Sequence, residues 1–280
     1  MLAGPKAVAI LTDKPTLRTQ VSFAVGVAEL GGYPLLVDGK LAAIGQRESI
    51  ADTARVLGRQ VSAIVWRTYG QDRLEEMAVH AGVPVVNALT DDYHPCQVLA
   101  DLLTVAEHLG GVGELAGAKL AYLGDGSNNM AQSYLLGGAL AGLNVVVATP
   151  EGYSPKVAVV DEARQVAKQT GGSVAVIGDP AEALRGADVV ASDTWVSMGM
   201  EDDAAARQSP FVPFRVDAEA MAKAQPEAIF IHCLPAYRGK EVTEDVIDGP
   251  RSRVWDEAEN RLHAQKALLV WLLDQGGRER

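Results

Sequence analysis

Seven short clusters in this 280-residue sequence combine side chains able to bind an anion, hold an amine or move a proton. The first, Asp13-Lys14-Pro15-Thr16-Leu17-Arg18-Thr19-Gln20, leads into a helical stretch. Backbone N–H groups at a helix start attract anions, and Arg18 with the two Thr hydroxyls adds donors. Read alone, Thr16 is an ordinary helix cap and Arg18 a solvated cation. Arg67 opens Arg67-Thr68-Tyr69-Gly70 and gains meaning only if other cations converge with it. In His94-Pro95-Cys96-Gln97 the proline fixes a helix start beside an imidazole and an amide. Gly124-Asp125-Gly126-Ser127-Asn128-Asn129-Met130 has only half of a dinucleotide fingerprint. Its third glycine is absent and no acidic residue closes the next strand, so no nicotinamide cofactor is expected. Asp193-Thr194-Trp195-Val196-Ser197-Met198-Gly199 offers a carboxylate and hydroxyls suited to an amine. His232-Cys233-Leu234-Pro235 ends an apolar run, where Cys233 reads equally as a small buried hydrophobe. Glu257-Ala258-Glu259-Asn260-Arg261-Leu262-His263 opens the last helix and, alone, reads as a solvated face.

The elements that must position these clusters alternate regularly. β-branched runs at 7–11, 34–37, 63–66 and 83–86 are followed by others at 119–123, 143–148, 173–177, 188–191 and 228–232. Most are continuous apolar runs, the pattern of parallel strands covered on both faces. Helical stretches at 17–30, 49–59, 71–81, 96–109, 128–141, 157–170, 181–185 and 217–224 fill the gaps, and a final helix spans about 256–275, ending at Gly276-Gly277. The expected fold class is α/β, with two doubly wound parallel-sheet domains joined by interdomain helices. Four glycines at 110, 111, 113 and 117 mark the seam. Each chemistry-bearing cluster falls just after a strand or at a helix start, where open parallel sheets bind ligands.

Composition sets the outer limits. With 48% hydrophobic and 22% charged residues, dominant disorder is excluded. The longest apolar run, 267–273, is far short of the about 20 residues needed to cross a bilayer. A net charge of −11 disfavours nucleic acid or an anionic membrane as the partner. Arginines converging in one cleft still bind a small anion on an acidic protein. Two distant cysteines, Cys96 and Cys233, suggest a reducing, cytoplasmic compartment.

Taken in order along the chain, His94-Pro95-Cys96-Gln97, the loop 193–199, His232-Cys233-Leu234-Pro235 and Glu259-Asn260-Arg261-Leu262-His263 resemble the aspartate/ornithine carbamoyltransferase family. The resemblance covers nearly the whole chain, and the Asp-x-x-x-Ser-Met-Gly loop is similar to that of its ornithine branch. It implies a two-domain, homotrimeric enzyme that moves a carbamoyl group from carbamoyl phosphate to the δ-amine of L-ornithine, giving citrulline. No metal or organic cofactor is implied. Residues 1–112 would bind carbamoyl phosphate and 113–260 ornithine, with the C-terminal helix 261–280 returning to the first domain. By the same resemblance, Thr16, Leu17, Arg18, Thr19, Arg67, His94, Gln97 and Arg261 hold carbamoyl phosphate, while Asn129, Asp193, Ser197, Met198, Cys233 and Leu234 hold ornithine. Arg67, His94, Asp193, Cys233 and Arg261 would carry the chemistry.

Three positions depart from the family pattern. Leu17 and Gln20 stand where a hydroxyl and a cation are expected, and Ala43 stands where a Gln is expected. All three lie on the carbamoyl-phosphate side. They raise the alternatives of a weakened paralogue that acts as a non-catalytic ornithine-binding subunit, or of a different carbamoyl donor. The family also begins with a helical segment ahead of the first strand, whereas here Met1 is close to it. The apolar face carrying Leu268, Leu269, Trp271 and Leu272 is therefore expected to be partly exposed.

Overall fold

The computed structural model of the chain describes residues 2–196 and 209–278, with side chains described to residue 275. Among the described residues, nine strands form two sheets, parallel throughout. The first holds β1 (Ala7–Thr12), β2 (Tyr33–Asp38), β3 (Ala63–Arg67) and β4 (Val85–Leu89) in the order β2-β1-β3-β4. Its connections include α1 (Arg18–Glu29), α2 (Gly39–Ala42), α3 (Ile50–Leu57) and α4 (Gln71–Ala81). The helix α5 (Pro95–Leu109) leads on to the second sheet, β5 (Lys119–Leu123), β6 (Asn144–Ala148), β7 (Ser173–Ile177), β8 (Val189–Ser192) and β9 (Ile229–His232), in the order β7-β6-β5-β8-β9. With it come α6 (Asn129–Leu140), α7 (Val157–Thr170), α8 (Pro180–Leu184), α9 (Ala218–Lys223) and α10 (Glu244–Ile247). The last helix, α11, spans Val254–Arg278. The chain divides into one compact unit of Met1–Cys96 with Glu259–Arg280 and another of Gln97–Ala258, so α5 and α11 each contribute to both.

Two-residue periodicity explains the first sheet. Val8 and Ile10 of β1 and Ala63 and Val65 of β3 face one core, with Phe23 and Val27 of α1 and Leu269 of α11. The intervening Ala9, Leu11, Ile64 and Trp66 face a second core, with Ala54 of α3 and Leu74 and Met77 of α4. Burial on both sides is why these strands read as unbroken apolar runs. The edge strand β2 differs: Tyr33, Leu35 and Leu36 are exposed. In the second unit, Ala121 and Leu123, Val190 and Phe230 share a core with Met221, Val246 and Ile247. Close packing there requires glycine, since a Cβ on Gly137 would lie 2.4 Å from Val98 and one on Gly138 2.5 Å from Val145.

Several boundaries differ from the sequence reading. The strand expected at 83–86 runs from Val85 to Leu89, because polar Asn87 stays in the ladder opposite Trp66. Thr16 does not cap α1: the residue preceding the helix is Leu17, with no side-chain cap. Gly276 and Gly277 do not stop α11, which continues to Arg278; glycine weakens a helix without forbidding it. The short α2 and α10 have no sequence period to reveal them. The apolar face of α11 is mixed: Leu269 is fully buried, Leu268 and Leu272 are partly buried, and Trp271 is exposed. Leu269→Ala should therefore destabilise the protein by about 2–5 kcal/mol, read by denaturant unfolding. A loss below about 1 kcal/mol would contradict the packing described for this helix.

Candidate active site

Ligands of open parallel sheets bind where strand order reverses, beyond the carboxyl ends of the strands. In the first sheet that point lies between β1 and β3, where Thr12 pairs with Arg67. In the second it lies between β5 and β8, where Leu123 pairs with Ser192. Each unit thus presents one half-site.

The half-site of the first unit is cationic. Arg67 ends β3 and is buried, as are His94, just before α5, and Arg261 on α11. Arg18 and Thr19 open α1; Arg18 is exposed and Thr19 buried. Arg261 Nη2 reaches Thr19 Oγ1 at 3.5 Å. Burial holds the His94 imidazole well below its ordinary pKa, and the positive charges of Arg261, Arg67 and Arg18 lower it further. His94 is therefore neutral at pH 7, a donor that adds no charge of its own. Three guanidinium groups act on one desolvated imidazole, an arrangement suited to an anion. The strand end is braced from behind. Thr68 Oγ1 donates to Asp13 Oδ2 (2.6 Å) and accepts from Arg73 Nε (3.1 Å), while Arg73 Nη2 donates to the Ile44 carbonyl (2.9 Å).

The residues around the altered positions differ in exposure and contacts. Leu17 is 73% exposed. Thr16 is half-buried. Gln20 Nε2 donates to Thr12 Oγ1 (3.1 Å). Ala43 is left-handed (φ 49°) and lines a cavity of ≈ 430 Å³ with Asp13, Lys40, Tyr69 and Arg73, a lining that holds none of Arg18, Arg67, His94 or Arg261.

The half-site of the second unit is built around one carboxylate. Asp193, just past β8, is buried and accepts from Cys233 Sγ (3.2 Å) and Thr194 N (2.8 Å) on Oδ1. Its Oδ2 accepts from Asn128 Nδ2 (3.2 Å), which also donates to Tyr122 Oη (2.9 Å). Burial raises the Asp193 carboxyl above its ordinary value, against the lowering effect of the neighbouring His232 ring and of the Thr194 and Cys233 hydrogen bonds. Burial, then the negative charge of Asp193, pushes the Cys233 thiol well above 9, so it is a neutral donor and not a thiolate. His232 Nδ1 accepts from Leu234 N (2.9 Å), and its Nε2 lies 3.5 Å from buried Glu241 Oε1. Leu234 is held at φ 58°, a conformation side chains rarely adopt and one that persists where the surroundings enforce it. Among the described residues, Asp193, His232 and Cys233 are the group that could close on a metal ion, with ligand atoms within 4.8 Å of one another. A metal would have to displace the thiol proton and the Cys233–Asp193 hydrogen bond.

Gln97 belongs with the second unit by its contacts. Its Nε2 donates to both Asp101 Oδ1 and Glu257 Oε1 (2.8 Å each), and Glu257 Oε2 accepts from the His232 backbone N–H (2.7 Å). Asn129 begins α6 and is half-buried. Ser197 and Met198 lie outside the described residues. Taken alone, 257–263 reads as a solvated face, which holds for Glu259 and His263, whereas Glu257, Asn260 and Arg261, the last assigned to the donor by the family resemblance, are buried. The signal was available: Glu257, Arg261, Gln265 and Leu269 recur every four residues, one helix face, and all four are buried. Asn128 is named in the sequence only as part of the cluster 124–130, and Glu241 has no sequence signal.

The carbamoyl-P binding domain of the aspartate/ornithine carbamoyltransferases matches residues 1–107, and the Asp/Orn binding domain of the same enzymes matches residues 116–272. The chain is 62% identical over 270 residues to an ornithine carbamoyltransferase of Bifidobacterium longum subsp. infantis, covering 96% of this chain and 84% of that protein. It is 60% identical over 274 residues to one from Clavibacter sepedonicus, covering 98% and 88%. Among solved structures, ornithine carbamoyltransferase from Pyrococcus furiosus superposes with a TM-score of 0.92 at 48% identity, covering 96% of this chain and 85% of that one. The enzyme from Gloeobacter violaceus gives 0.86 at 48% identity, covering 96% and 86%. Both domains of one family thus account for nearly the whole sequence, and the chain belongs to the aspartate/ornithine carbamoyltransferase family.

Proposed function

We propose that this chain transfers the carbamoyl group of carbamoyl phosphate to the δ-amine of L-ornithine, releasing citrulline and phosphate. The observation that carries the reading is that the two units hold candidate sites of opposite character. One gathers Arg18, Arg67 and Arg261 around a neutral His94; the other sets a buried carboxylate against a neutral thiol. Residues 1–112 with 261–280 are the donor-binding part, and 113–260 the acceptor-binding part.

The chemistry explains the charges. An alkylammonium with pKa about 10.4 must lose a proton before it attacks, at a cost of about 4.6 kcal/mol at pH 7. Asp193 attracts the ammonium, and its raised proton affinity favours taking that proton. Cys233 and the Leu234 carbonyl orient the nitrogen, while Asn129, Ser197 and Met198 hold the amino-acid end. Attack on the carbonyl carbon builds negative charge on its oxygen and then on the departing phosphate. Arg67, Arg261, His94 and Thr19 stabilise both, in a desolvated setting where such donors are strongest. Gln97, whose Nε2 is held by two carboxylates, turns its Oε1 to the carbamoyl nitrogen. No metal or organic cofactor enters this scheme.

The altered positions favour the transferase over a non-catalytic ornithine binder. Leu17 and Gln20 are not among the buried donors, and the phosphate can still meet the backbone N–H groups at the start of α1. Homotrimeric assembly in the cytoplasm belongs to the same reading. Leu17, Val21 and Val25 form an exposed stripe at four-residue spacing, and Leu35 and Leu36 are exposed on the β2 edge, apolar surface suited to a second copy. Among the described residues no helix is long and apolar enough to cross a membrane.

Purified protein should form citrulline from carbamoyl phosphate and ornithine, and Asp193→Ala should lower kcat at least about 100-fold while the fold is retained. No citrulline from the wild type would overturn the reading. The thiol supplies a test by pH. With its pKa raised well above 9, Cys233 should react with iodoacetamide at pH 8 at least about tenfold more slowly than free cysteine. The rate should climb with pH through 9 without a plateau. Asp193→Ala removes the second cause of the shift and should accelerate it. A plateau below pH 8 would show a thiolate and contradict the assigned role.

A further inference from the structure

Four residues beyond Arg261, one turn along the same face of α11, lies Gln265, 1% exposed. With its amide oriented so that both ends find partners, Oε1 accepts from Arg261 Nε (3.0 Å) and Nη2 (3.2 Å), and Nε2 donates to Ser22 Oγ (2.7 Å). Ser22 Oγ in turn lies 3.4 Å from the carbonyl of Thr19, the residue whose hydroxyl meets Arg261 Nη2. The amide therefore occupies the Nε–Nη2 edge of the guanidinium and ties it to the first turn of α1.

We propose that Gln265 is a positioning residue for the donor anion: it fixes the Arg261 fork through a neutral carbonyl that adds no negative charge to the site. The proposal rests on the donor half-site assigned above. The residue type is informative. A glutamate at 265 would present the same two-bond geometry but neutralise the guanidinium it orients. An aliphatic side chain would leave the charge but release a side chain with several rotatable bonds. Only an uncharged acceptor of this length both holds and spares the cation. The neighbouring Lys266 bridges the same helix to exposed Glu29 on α1 through an ion pair, and so reports on helix docking.

The test compares Gln265→Met, Gln265→Glu and Lys266→Met with the wild type. Inorganic phosphate is titrated by calorimetry, and KM is measured for each substrate at saturating concentration of the other. Both Gln265 variants should weaken phosphate binding and raise KM for carbamoyl phosphate at least about tenfold, with KM for ornithine within about twofold of wild type. Lys266→Met should resemble the wild type in all three. Phosphate binding within twofold of wild type in both Gln265 variants would overturn the proposal, as would the same loss in Lys266→Met, which would assign the effect to helix docking. Should Gln265→Met fail to fold, the near-isosteric Gln265→Glu decides. If the wild type binds phosphate but makes no citrulline, the transferase reading fails while the titration still tests Gln265. A wild type that binds no phosphate overturns both.

Discussion

The interaction on which the rest depends is the repulsive one at the start of the first unit. Arg67 and Arg261 are buried, Arg18 stands at the helix start, and all three act on His94. Gathering like charges out of water is unfavourable, and it persists only because the surrounding elements fix each member. β3 delivers Arg67 at its last residue. Pro95 sets the helix start that carries His94. Gln265 and Thr19 hold Arg261. The imidazole answers by staying neutral. The dianionic phosphoryl group of the proposed donor would offset that charge.

The second unit solves the converse problem. In the proposed function a carboxylate must stay buried and still be available to an amine. Asn128, Thr194 and Cys233 each donate to Asp193 with a neutral group, so the carboxylate is satisfied without being neutralised. The same logic recurs at Gln265 and Arg261, where a neutral partner orients a charge and leaves it for the ligand. His232 and Glu257 extend the scheme to the backbone, fixing the turn at Leu234 and the end of β9.

Much of this was legible in the sequence because parallel sheets place chemistry after strands. Reading the residues that follow each apolar run finds Arg67, His94, Asp193 and Cys233 directly. Two-sided burial makes β1, β3, β5 and β8 plain. The sequence reading failed where position depends on long-range partners. Asn87 continues β4 because Trp66 and Gln71 receive it. Glu257 looks like a surface acid until β9 and Gln97 are folded against it. Glu241 sits beyond a turn with no period at all. Gln265 was passed over because a glutamine on an amphipathic helix is unremarkable until Arg261 is known to share its buried face.

The electrostatic core of the account is the neutral His94 among three guanidinium groups. The most direct measurement is an NMR titration of the His94 ring in isotopically labelled protein, with and without inorganic phosphate. The account predicts that the ring titrates well below 6.5 in the free protein, and that phosphate, by offsetting the guanidinium charge, raises its pKa. Protonation of the free protein's His94 at about pH 6.5 or above would contradict it, because the imidazole would then feel neither the burial nor the cations that define the site.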